Sequence, residues 1–183
     1  MRIAVLYWSE GGNTQAVAQA IHETLRREEL DAELIEIRPE LHFPLYEYHL
    51  IFIGAPVYGY LPPEDVREFL GRMMRDQAEV LPATPERPGH YAVLFCTYGG
   101  AHTGVREAIP MLKYTGQFFE HAGVRVVDEW PVVGKYHGRM AAMNTGGRLG
   151  DVSGRPSEAD LYEIAGRVRG LLARLSNLLP AGE

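Results

Sequence analysis

The 183-residue chain is 46% hydrophobic with a formal net charge of −6, which is enough apolar material for one well-cored domain and too little cationic surface to neutralise a run of nucleic-acid phosphates. Its single cysteine, Cys96, excludes an internal disulfide, a self-contained iron–sulfur cluster and a cysteine-built zinc site. The seven histidines, at 22, 42, 49, 90, 102, 121 and 137, show no metal-ligand spacing, so no metal is expected.

In chain order, Ile3 to Trp8 is a continuous apolar run that stops in a Gly-rich turn, the pattern of a strand covered on both faces of a parallel sheet. It turns polar too soon for a signal-peptide core. Leu50 to Leu61, the longest mostly apolar stretch, is too short and too broken by Gly and Pro to span a bilayer. A soluble, cytoplasmic protein is therefore expected. Val17, Ile21 and Leu25 share one face of a helix from Thr14 to about Glu28, and Ala32 to Ile37 alternates like a strand near a sheet edge.

His49 to Gly54 is the next buried strand. After a turn, Val66, Phe69, Leu70 and Met73 repeat at helical spacing, behind Pro62, Pro63, Glu64 and Asp65 as first-turn residues. Tyr91 to Thr97 forms a fourth strand, whose Cys96 reads as a packed, inert thiol. Val105 to Ala122 is a helix in which Pro110 requires a kink or a late start, and Val124 to Val133 is the fifth strand. The last helix, Ser157 to about Leu178, opens on a Ser157/Asp160 cap pattern and turns Leu161, Ile164, Val168, Leu171, Leu172 and Leu175 to the core. The alternation predicts one α/β domain, a doubly wound parallel sheet of five strands in a three-layer sandwich.

Ligands of such a sheet sit beyond the carboxyl ends of its strands, which directs attention to three loops. Ser9-Glu10-Gly11-Gly12-Asn13-Thr14 lies where the first strand passes into a helix. Two glycines, inward N–H groups and short polar side chains at a helix N-terminus make a phosphate cradle without a cation. The loop lacks the lysine of a triphosphate-binding loop and the spacing of a dinucleotide fingerprint, so a monophosphate suits it better. The competing reading is an ordinary Gly-rich turn in which Asn13 or Thr14 caps the helix. The sequence Val5-Leu6-Tyr7-x-Ser9-x-x-Gly12-x-Thr14-x-x-x-Ala18-x-x-Ile21 resembles the phosphate signature of the flavodoxin family.

That resemblance implies a flavodoxin-like sheet of order 2-1-3-4-5 and a noncovalently bound flavin mononucleotide (FMN). Its phosphate would be wrapped by residues 9–14 through backbone N–H groups and the Ser9 and Thr14 hydroxyls. By the same resemblance, Pro56, Val57, Tyr58, Gly59 and Tyr60 form an isoalloxazine loop, in which the Tyr58–Gly59 peptide turns a carbonyl toward the flavin N5 position on reduction. Thr97, Tyr98, Gly99, Gly100 and His102 form the second flavin-contacting loop, with Tyr98 against the ring and His102 as its titratable side chain. A buried turn that packs tyrosines on the sheet edge, and a merely solvated histidine, are the plain readings of the same residues.

A stretch of about twenty residues between Gly134 and Arg155 exceeds the other connections. It reads as a lid, a partner-docking surface, a nicotinamide-phosphate contact through Arg139 or Arg148, or a mobile loop without a role. The expected function is electron transfer to a redox partner protein or small electron acceptor. The alternatives are an NAD(P)H-dependent quinone or FMN reductase of the same fold, in which a homodimer would complete a second substrate site, and more remotely a flavin-free interaction or signalling module. No acid–base pair is needed, and no catalytic residue is assigned.

Overall fold

The computed structural model describes residues 1–81 and 86–176. Five strands, β1 (Arg2–Tyr7), β2 (Asp31–Glu36), β3 (Leu50–Pro56), β4 (Tyr91–Tyr98) and β5 (Arg125–Val133), form one sheet. Every pairing is parallel and the order is β2-β1-β3-β4-β5, as expected. The helices that return the chain between strands are α1 (Asn13–Arg27), α2 (Glu64–Asp76) and α3 (Ile109–His121). After β5 come the short α4 (Met143–Gly146) and the long α5 (Glu158–Leu175).

The continuous apolar runs of β1, β3 and β4 follow from this topology, because both faces are covered. Ala4, Leu6, Ile51, Ile53, Leu94 and Cys96 meet Phe69, Leu70 and Met73 of α2 and Met111, Leu112 and Phe119 of α3. On the opposite face Ile3, Val5, Phe52, Val93, Phe95 and Trp130 meet Val17, Ile21 and Leu25 of α1 and Ile164, Val168, Leu171 and Leu175 of α5. Each of these large aliphatic side chains contributes about 1.5–3 kcal/mol by leaving water. The outer strands are less apolar: β2 carries Asp31, Glu33 and Glu36, and β5 carries Asp128, Glu129 and Pro131.

Helix starts follow local chemistry. Pro110 falls in the first turn of α3, behind a 3₁₀ turn at Gly104–Glu107, so the helix starts late and does not kink. Ser157 caps α5 in a capping box, its hydroxyl accepting from the Asp160 N–H while the Asp160 carboxylate accepts from the Ser157 N–H at 2.6 Å. Arg155 donates to the same carboxylate. The expected end of this helix near Leu178 lies outside the described residues. Among the described residues, no helix is long and apolar enough to cross a membrane.

Candidate functional site

The three glycine-rich loops leave the carboxyl ends of β1, β3 and β4, adjacent strands of the sheet. In the first loop Gly12 has φ +88°, a conformation that favours glycine, and its N–H donates to Ser9 Oγ at 3.1 Å. No acidic side chain stands in the first turn of α1, so the partial positive charge of that helix end is not cancelled. Glu10 points to the second loop, where its carboxylate accepts from the Tyr58 hydroxyl at 2.5 Å. Burial, then that bond and the carboxylate's charge, push the Tyr58 phenol well above its ordinary range.

Thr14 is 1% exposed and its hydroxyl shares a 2.8 Å hydrogen bond with that of Thr97, also buried, at the end of β4. The hydroxyl expected on the phosphate is thus turned toward a neighbouring strand.

The second loop begins later than its sequence suggests, because β3 runs on through Ala55 to Pro56. Val57 N–H then donates to the Thr97 carbonyl at 2.9 Å, joining the second loop to β4. Residues 58–61 make a tight turn in which Tyr58 and Leu61 exchange N–H···O bonds of 2.9 and 3.1 Å, with φ +55° at Gly59 and +70° at Tyr60. This bears on the peptide expected to turn its carbonyl toward a flavin. The Tyr58 carbonyl is held by the Leu61 N–H, and the peptide that can rotate without breaking either bond is Gly59–Tyr60. Tyr58 and Tyr60 are exposed, at 47% and 56%. Trp8, a position the sequence reading did not single out, stands edge-on to Tyr58 at 6.0 Å and donates its indole N–H to Asp65 at 3.1 Å.

The third loop opens on Tyr98, whose ring faces inward. It is buried in the cluster beneath α2 and α3, because Tyr98 continues β4 on the same face as Ala92, Leu94 and Cys96. Its carbonyl accepts from Gly134 N–H at 2.9 Å, and its ring edge reaches back to the loop at Gly100, where a Cβ would lie 3.0 Å from Cε2. Gly100 and Gly104 both have φ +64°. The N–H groups of His102 and Thr103 each donate to Glu107 Oε1 at 2.8 Å, so Glu107 sets the loop's shape, while the His102 side chain is exposed. Cys96 is fully buried and its thiol is pushed far up by burial, in keeping with a packing role.

The segment 134–155 is folded onto the other loops. Asn144, 7% exposed, accepts from the Tyr136 N–H at 2.7 Å and donates to the Tyr136 carbonyl at 3.0 Å. Tyr136 lies against Gly99, where a Cβ would come within 2.1 Å of its ring, and its hydroxyl accepts from Ala101 N–H at 3.2 Å. Arg148 N–H donates to the Ala101 carbonyl at 2.8 Å. On the other side Asn13 Nδ2 donates to the Lys135 carbonyl at 2.8 Å, and the His137 ring covers Gly11. Asn144, Tyr136 and Glu107 organise the site through contacts that no periodicity signals.

The chain is a doubly wound α/β sandwich with a glycine-rich turn where its first strand passes into a helix. The family model for the flavodoxin domain matches residues 4–126, and the chain belongs to that family, whose resemblance implies a bound flavin. A search of curated proteins finds no match. Among solved structures, a flavodoxin from the domain Archaea is 18% identical with a TM-score of 0.66, over 96% of this chain and 99% of that one. Oxidised flavodoxin 2 from Bacillus cereus is 15% identical with a TM-score of 0.68, over 95% and 99%. Rubredoxin oxygen:oxidoreductase from Desulfovibrio gigas is 15% identical with a TM-score of 0.64, over 98% of this chain but 37% of that one. At these identities the likenesses establish the fold.

The residues at the loops fit a flavin monophosphate. The cradle offers neutral donors, nothing lies within 4 Å of a Cβ at Gly12 or Gly59, and two exposed tyrosines stand beside it. Among the described residues, no group of three or more His, Cys, Asp or Glu is placed to hold a metal ion.

Proposed function

We propose that this chain binds FMN noncovalently, its phosphate in residues 9–14 and its ring beside the loops 56–60 and 97–102, and carries electrons between a donor and a redox partner protein or small electron acceptor. The observation that carries the proposal is a cation-free, glycine-built cradle at the turn from β1 into α1, in a chain of the flavodoxin family. The flavin supplies the redox chemistry when bound. The chain's share is to hold the phosphate with backbone N–H groups, to shield the ring with Trp8, Tyr58 and Tyr60, and to offer a rotatable peptide at Gly59–Tyr60. We also propose a cytoplasmic location, in keeping with membership of the flavodoxin family.

A second reading, an NAD(P)H-dependent quinone or FMN reductase, draws support from the exposed Arg139 and Arg148 on the segment beside the third loop. Visible spectra of the protein with and without added FMN, repeated anaerobically with NADH and NADPH, separate these readings. Flavin bands that bleach only with dithionite support the carrier, and bleaching by a nucleotide alone supports the reductase. Absence of flavin bands after reconstitution refutes both and favours a flavin-free module.

A further inference from the structure

We propose that His137, carried on the segment after β5, supplies the phosphate cradle with its titratable cation and makes retention of a phosphorylated flavin depend on pH, a role that rests on the FMN reading above. Residues 9–14 contain no Lys, Arg or His. Their one charged side chain, Glu10, is engaged by the Tyr58 hydroxyl. The imidazole fills the side-chain space of the loop: a Cβ at Gly11 would lie 2.4 Å from His137 Cδ2 and 2.5 Å from Nε2. A second contact orients it, with Nε2 standing 3.4 Å from Asn13 Oδ1, while Nδ2 of the same amide donates to the Lys135 carbonyl at 2.8 Å. Asn13 begins α1, so the ring is held at the end of the helix whose exposed N–H groups attract an anion.

A phosphomonoester brings close to two negative charges to this place, its second ionisation lying near pH 6. Neutral imidazole offers such a group at most one hydrogen bond, whereas imidazolium adds a charge-assisted one. The charged residues on the loop and within two positions of His137 are Glu10, Lys135 and Arg139. A bound phosphate favours the charged form of the ring. FMN binding is therefore accompanied by proton uptake at His137, and affinity for FMN falls as the ring loses its proton.

The test compares FMN with riboflavin, which lacks the phosphate, by fluorescence titration of the flavin-free chain between about pH 7 and 9, where the phosphate is already a dianion. In the wild type the FMN-to-riboflavin affinity ratio is expected to fall about three- to tenfold across that range, the size appropriate to an exposed ion pair. In His137→Gln the ratio starts lower and is flat, and in His137→Lys it stays high and flat. His137 is exposed, so neither change threatens folding. The proposal is overturned if His137→Gln keeps the wild-type profile, or if it weakens both flavins alike, which is the signature of a packing role. If neither flavin binds the wild type, the FMN reading itself falls, and that outcome is distinct from FMN bound without any effect of His137.

Discussion

Replacing Asn144 with Ala should release the segment 134–155 from the loops it covers. Its amide makes two hydrogen bonds, of 2.7 and 3.0 Å, to the N–H and carbonyl of Tyr136 from a position that is 7% exposed. Each bond is worth about 1 kcal/mol net, and each backbone group left unpaired adds up to about 1 kcal/mol more, so the segment should lose about 2–4 kcal/mol. At about 1.4 kcal/mol per tenfold, its opening constant rises roughly 30- to 700-fold. The assay is amide hydrogen exchange at Ala101, Lys135 and Arg148, whose N–H groups donate to the Tyr136 hydroxyl, the Arg155 carbonyl and the Ala101 carbonyl. All three should exchange faster together, while amides in the centre of β1 change only with global stability. Unchanged protection at the three sites would refute the idea that one buried amide holds the segment in place.

Thr14→Val or Thr97→Val alone should cost about 1–2 kcal/mol in a thermal melt, because each strands the other buried hydroxyl, whereas the double variant should lie close to wild type. Asp160→Asn should cost about 1–2 kcal/mol near neutral pH by weakening the cap of α5 and the Arg155 contact. Burial alone would raise the Asp160 carboxyl, but Arg155 and the Ser157 N–H and hydroxyl outweigh it and hold the carboxyl below the usual range. The carboxylate's contribution is therefore present above its unfolded value of about 3.9 and lost as pH falls through the lower folded value. The gap between wild type and Asp160→Asn in urea melts should accordingly close in acid. Tyr60→Gly should raise stability by up to about 1 kcal/mol, since Tyr60 sits at φ +70°, while Gly59→Ala should lower it by about as much; equal urea midpoints for the two variants would contradict the turn geometry.

Much of the fold was legible because a parallel sheet covered on both faces demands unbroken apolar strands. The runs Ile3 to Trp8 and Tyr91 to Thr97 meet that demand within a residue of β1 and β4. Pro110 signalled either a kink or a late start, and α3 takes the late start because a missing N–H is harmless in a first turn. The direction of the Tyr98 ring turns on one residue of strand length. Ending β4 at Thr97 frees the tyrosine for the loop, whereas continuing the alternation from Leu94 and Cys96 sends it inward. The hydroxyl partner of Thr14 could not be read, because it comes from a strand end 83 positions away. The segment 134–155 was opaque for a related reason. Its shape depends on one asparagine side chain and on aromatic rings seated against glycines of other loops, which leave no period in the sequence.

The charged outer strands bear on self-association. On one border β2 carries Asp31, Glu33 and Glu36, and charged side chains on an edge strand discourage the addition of another strand. On the other border, Pro131 removes an N–H from β5, and Asp128 and Glu129 precede it. Neither border invites a further strand. If two copies of this chain associate, the contact must therefore form through helices or loops, and the carboxyl-end loops are then either shared between the copies or left open to an electron-transfer partner.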